Sequence, residues 1–203
     1  MNTTRLYQRL YPLIGITLAV LLATLAPRAF AIDAKDLPEE KRTKLNLYVT
    51  AVEAAALKEK LGAKALFVDI RTKAEVMFTG SPAATDANVP YVDLPDIGLA
   101  FDDKRGAYKL EPNADFGAEL ARRVAEKGLG KGDVVILICR SGDRSSRAIN
   151  QQLADSGYTQ VYSVVDGFEG DLSKDGRRSV NGWKNAGLPW AYKMDRSKVY
   201  LPK

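Results

Sequence analysis

Cys139-Arg140-Ser141-Gly142-Asp143-Arg144-Ser145 sets the only cysteine of the chain at the head of a polar, arginine-bearing stretch. It follows an apolar run, Val134 to Ile138, that reads as a buried strand, and it precedes a stretch, Ser145 to Ser156, that reads as a helix. A thiol where a buried strand hands over to a helix lies among converging backbone N–H groups. The helix end adds roughly half a positive charge. Arg140 and Arg144 add two full charges and Asp143 removes one. In such a setting a thiol is expected to drop from a pKa of about 8.5 into the range of roughly 3.5 to 7.5. The expectation is a thiolate nucleophile that needs no neighbouring base.

None would be at hand. The 203 residues contain no histidine. That excludes a Ser-His-Asp triad, a Cys-His dyad and His-ligated zinc. A lone cysteine excludes a cysteine-ligated zinc or iron–sulfur site within one chain. No metal and no cofactor is therefore expected. Asp102 and Asp103 are read as part of an exposed turn with Lys104-Arg105-Gly106.

The elements that must position the thiol are legible as alternating apolar runs and helical patterns. Leu47-Tyr48-Val49, Ala65 to Ile70, Val134 to Ile138 and Val161 to Val165 read as strands. Val89-Pro90-Tyr91-Val92 reads as a weak strand, pushed to an edge by Pro90. Thr50-Ala51-Val52-Glu53 has the form of a capping box opening a helix that Gly62 stops. Lys73 to Phe78 reads as a short helix. Asp115 to Lys127 reads as another, with Phe116, Leu120 and Val124 four apart and Gly128 at its end. Trp183 and Trp190 are read as covers for the core. Such alternation implies an α/β fold with an open parallel sheet. Ligands of such sheets bind beyond the carboxyl ends of strands. Asp69-Ile70-Arg71 and Cys139-Arg140 would then face the same side.

The net charge of +5 is partly local. Residues 1–31 hold Arg5, Arg9 and Arg28 and no acid; the remainder carries 27 basic and 25 acidic residues. No basic stripe interleaved with aromatics is present, so nucleic acid is not an expected partner. Arg5 and Arg9, then the apolar Leu13 to Leu25, then Ala29-Phe30-Ala31 form a secretory signal pattern with cleavage after Ala31. The mature chain is then expected in the periplasm or outside the cell, free of the membrane. The alternative is an uncleaved anchor, since Leu10 to Pro27 is 18 uncharged residues. Residues 32–45 read as a solvated linker or short irregular helix, 46–192 as the domain and 193–203 as a tail.

These residues resemble a single-domain rhodanese. Val68-Asp69-Ile70-Arg71 resembles the Val-Asp-x-Arg at an early strand end of that family. Cys139 to Arg144 resembles its six-residue active loop, with Ser145 following. Val161-Tyr162, Asp166-Gly167-Phe168, Gly182-Trp183 and Gly187-Leu188-Pro189 resemble its last strand and C-terminal part. Where the family often has Gly-His-Ile-Pro-Gly-Ala, this chain has Gly80-Ser81-Pro82-Ala83, a local departure.

The resemblance implies a five-stranded parallel sheet with helices on both faces. It also implies a sulfurtransferase in which Cys139 takes a sulfane sulfur from a donor such as thiosulfate. The persulfide so formed would pass it to cyanide or a thiol, with a sulfur-accepting protein as a further partner. The loop N–H groups of Arg140, Ser141, Gly142, Asp143, Arg144 and Ser145 would hold the persulfide. Arg140 and Arg144 either attract the sulfonate of the donor or fold back onto carboxylates and shape the loop. Asp69 and Arg71 are expected to support the loop from the strand end. Two other functions are open: a rhodanese-like binding module without catalysis, and a cysteine-based phosphatase or arsenate reductase. The latter share this fold by resemblance but have Cys-x5-Arg, whereas Cys139 and Arg144 are separated by four residues.

Overall fold

The computed structural model describes residues 32–202. The expected signal segment, residues 1–31, lies outside them. Five strands form one sheet: β1 (Tyr48–Val49), β2 (Ala65–Asp69), β3 (Ala87–Asn88), β4 (Val134–Ile138) and β5 (Val161–Val164). Their spatial order is β1-β5-β4-β2-β3, and every pairing is parallel. β4 lies at the centre because Val-Val-Ile-Leu-Ile can bury both of its faces. Its register with β2 runs from Ala65 opposite Val134 to Asp69 opposite Ile138.

Alternation along β4 divides the core. Val135, Leu137 and Cys139 face one cluster; Ile136 and Ile138 face the other. The first cluster is closed by α3 (Phe116–Glu126), through Phe116, Leu120 and Val124, and by α4 (Asp143–Ala148). The second is closed by α1 (Ala51–Leu61), whose Ala51 and Ala54 permit close approach, and by Phe168 and Trp183. Phe67 and Trp183 meet with ring centroids 5.6 Å apart. Both Thr50 and Glu53 make the reciprocal bonds of a capping box, and Gly62 at φ 54° ends α1.

The edge strand β3 is not where the apolar residues suggest. Ala87–Asn88 pairs with Val68 and Asp69 of β2. Val92–Asp93 instead pairs antiparallel with Glu111–Pro112. Pro90 has no N–H to donate, so the regular ladder ends there, although Val89 and Tyr91 N–H still donate to Asp69 O and Ile70 O at 2.9 and 3.1 Å. The helix after the cysteine also begins earlier, at Asp143, and passes into a π turn over Ile149–Leu153, with Ala154 N–H on Ile149 O (3.0 Å). Residues 32–45 form short 3-10 turns seated on the domain: Lys41 pairs with Asp171 at 2.7 Å, and the Ser146 hydroxyl donates to Glu40 O. Near the C-terminus, Tyr200 N–H bonds Asn88 O at 3.1 Å and its hydroxyl bonds Asp115 at 2.7 Å. No helix among the described residues is long and apolar enough to cross a membrane.

The strand order places the site. The chain runs outward from β2 to β3, then returns on the other side of β2 as β4. The direction reverses between β2 and β4, and a crevice opens beyond their carboxyl ends. Asp69 and Cys139 stand at those two ends.

Candidate active site

Two backbone ties shape the loop. The residues after β5 fold back over it, so that Phe168 N–H donates to Cys139 O at 2.8 Å. Glu169 and Gly170 N–H both donate to Arg140 O, at 3.0 and 3.2 Å. With these carbonyls held from outside, the loop presents its amides inward. Gly142 N–H donates to Cys139 Sγ at 3.1 Å. Among the described residues, the N–H groups of Ser141, Asp143, Arg144 and Ser145 have no acceptor. They are the donors an anion held above the sulfur would use.

Gly142 is obligatory for this path. Its φ is 97°, and a Cβ there would lie 2.3 Å from Val165 O. Ser145 Oγ anchors the start of α4 by donating to Leu137 O at 3.3 Å. Cys139 itself is 1% exposed, so only small atoms entering through the loop can reach the sulfur.

Arg144 does not point freely at solvent. Its two terminal nitrogens each bond Glu75 at 2.6 Å, a bidentate pair with side chains 8% and 20% exposed. Glu75 belongs to α2 (Lys73–Thr79) and also caps it, accepting Thr72 N–H at 3.0 Å. Burial pushes the Glu75 carboxyl up, but the Arg144 guanidinium outweighs it and holds the group at about 2. Burial works against the Arg144 charge too, and Glu75 again prevails, so its pKa is raised. Arg144 thus takes the second role open to it, folding onto a carboxylate and bracing the loop. Arg140 is exposed and forms no ion pair among the described residues. Asp143 leans on Arg147, at 3.3 Å.

Asp69 and Arg71 are fully buried and paired with each other. Arg71 Nε reaches both Asp69 oxygens, at 3.0 and 3.1 Å, and Nη2 reaches one at 2.5 Å. The remaining guanidinium donors go to Thr79 Oγ1 and Gly80 O, each at 2.7 Å. The guanidinium carbon lies 3.9 Å from the centroid of the Phe168 ring. Phe168 is the residue whose N–H holds Cys139 O. The pair at the end of β2 therefore supports the loop through one intervening side chain.

A cavity of about 640 Å3 lies against the loop. Arg140, Asp143 and Arg144 form one side. The other is a hairpin, Phe101–Asp102 paired with Ala107–Tyr108, which brings Arg105 and Lys109. Sequence reading placed the turn at Asp102 to Gly106 but not its position over the site. Glu75 was missed as well: 69 residues separate it from Arg144, and its helix-capping pattern already accounts for a glutamate there.

Residues 53–174 match the model of the Rhodanese-like domain. The uncharacterized protein RP600 of Rickettsia prowazekii is 30% identical over 132 residues, covering 65% of this chain and 87% of that one. The thiosulfate sulfurtransferase GlpE of Actinobacillus succinogenes is 46% identical over 55 residues, 27% of this chain and 38% of its own. The crystal structure of Rv0390 from M. tuberculosis superposes with a TM-score of 0.55 at 30% identity, over 72% of this chain and 97% of that one. In fold and sequence alike, the chain belongs to the rhodanese-like family.

Proposed function

We propose that the protein is a sulfurtransferase that carries a sulfane sulfur on Cys139. The observation that carries this reading is the Gly142 N–H on Cys139 Sγ, with unpaired loop amides around it. The Cys139 thiolate attacks the outer sulfur of a donor such as thiosulfate. An S–S bond forms to Cys139, the donor S–S bond breaks, and sulfite leaves with the electron pair. The outer sulfur then stands about 2 Å beyond Sγ, and the loop amides stabilise its charge as an oxyanion hole does oxygen. Cyanide or a thiolate attacks that outer sulfur and releases the Cys139 thiolate. No histidine is required at any step. Asp69, Arg71, Glu75 and Arg144 act by holding the loop.

The likeness to GlpE over 55 residues supports this reading of the substrate. The tight six-residue loop favours a single sulfur over a tetrahedral phosphate, and the retained cysteine favours catalysis over binding alone. The signal pattern in residues 1–31 supports an exported, periplasmic enzyme. Intact-mass measurement after incubation with thiosulfate tests the chemistry. The expected result is a cyanide-labile gain of one sulfur atom, absent in Cys139→Ser. Failure to gain it, or robust Cys139-dependent hydrolysis of an aryl phosphate, would overturn the reading.

A further inference from the structure

The segment before β1 is bonded to both flanks of the active loop. On one flank is α4, the helix into which the loop opens. The Ser146 hydroxyl reaches Glu40 O and Asp143 O. Four residues on, Asn150 Nδ2 donates to Arg42 O and its Oδ1 accepts the Lys44 N–H, both at 2.8 Å. On the other flank, Lys41 Nζ donates to Asp171 Oδ1 at 2.7 Å. Asp171 directly follows Glu169 and Gly170, whose N–H groups hold Arg140 O. Asn181 fixes the same aspartate, through Oδ1 on its N–H at 2.8 Å and Nδ2 on its Oδ2 at 3.0 Å. The matched domain spans residues 53–174, so the segment lies outside it.

Lys41 is only 9% exposed. Burying an ammonium is costly, and an apolar side chain of similar volume often serves stability as well or better. An apolar side chain cannot, however, fix the place of a carboxylate. The Asp171 side chain is 41% exposed, so without the lysine it would be solvated and free to move. What Asp171 anchors matters for the loop. Arg140 C=O and Ser141 N–H belong to one trans peptide, and the two groups point in opposite directions. Holding Arg140 O from outside therefore aims the Ser141 N–H inward, toward the space above the sulfur.

We infer that residues 38–44 are a strap that sets the active loop, with Lys41 as a positioning residue that acts through Asp171 on the Arg140 peptide. The inference rests on the sulfur-transfer reading for the rate that the strap governs, not for the strap itself. Lys41 touches no reacting atom. It keeps the residues that clamp Arg140 O in register, while the bonds to Ser146 and Asn150 hold the helix end of the loop. Slack in the strap lets the Arg140 peptide turn, and the ring of inward amides loses the Ser141 N–H.

The test is Lys41→Met, which keeps the buried volume and removes the charge. Its urea midpoint should equal or exceed that of the parent. Amide exchange at Glu169 and Gly170 should quicken roughly tenfold, the scale of one hydrogen bond to a charged group, while Val135 and Leu137 of β4 stay as protected as before. The limiting rate of persulfide loading from thiosulfate should fall by a similar factor, with the half-saturating concentration unchanged. Asp171→Ala should slow loading as far, and the double variant no further. Exchange that quickens evenly through the sheet together with a lower midpoint, unchanged exchange at Glu169 and Gly170, or additive effects of the two substitutions on loading overturns the inference. A parent that loads sulfur while Lys41→Met loads it equally fast overturns the strap alone. A parent that takes no sulfur, with the exchange pattern as expected in Lys41→Met, supports the strap and overturns sulfur transfer.

Discussion

Glu75→Gln isolates one charge. Glutamine still fits a capping box after Thr72, so the N-terminus of α2 keeps its cap. The buried Arg144 guanidinium, however, loses its counter-charge. Two routes give the cost. The Glu75 carboxyl falls from an ordinary 4.5 to about 2 in the folded protein, and at 1.36 kcal/mol per unit this is about 3 kcal/mol. Breaking a buried pair by removing one partner costs about 3–5 kcal/mol; the retained amide hydrogen bonds reduce that toward about 3. Urea unfolding should show a midpoint lowered by about 1–2 M at neutral pH. The sign with pH follows from the depressed carboxyl. Its stabilisation is complete above pH 4.5 and is lost as pH falls toward about 2. The gap between wild type and Glu75→Gln should therefore narrow through that window. A gap under about 1 kcal/mol at pH 7, or one that does not narrow, would refute the assignment of Arg144 to loop bracing.

Gly142→Ala should cost at least about 2 kcal/mol, because a Cβ must sit at φ 97° against Val165 O. It should also abolish persulfide loading; a melting curve and intact mass read the two effects. Asp69→Asn leaves Arg71 buried without a counter-charge and should destabilise by about 3–5 kcal/mol, measured by denaturant unfolding.

The central sheet was legible because Val134 to Ile138 and Ala65 to Ile70 are apolar runs of strand length with clear stops. The edge strand was not, since Ala87–Asn88 is two residues long and carries no strand signal, while the buried Val89 and Tyr91 lie past its end and each give a single N–H to the end of β2. Cys139 and its loop could be picked out from residue types and spacing alone. The Glu75 brace could not, because the contact closes only when α2 packs beside α4. Asp143 gave no helix-start signal: the residue before it is a glycine in a left-handed conformation with no side chain to cap. The hairpin turn was visible in Asp102 to Gly106, but a turn signal is local and cannot say what the turn overhangs.

The backbone ties from Phe168, Glu169 and Gly170 bear on how the protein is made. The start of that segment is held in turn by Trp183 and Lys184, whose N–H groups donate to Gly167 O and Phe168 O. The thiol-bearing turn is thus cast against a mould that the ribosome delivers some forty residues later than Cys139. A chain halted after β5 would have its sheet strands in hand but lack the segment whose N–H groups hold the Cys139 and Arg140 carbonyls.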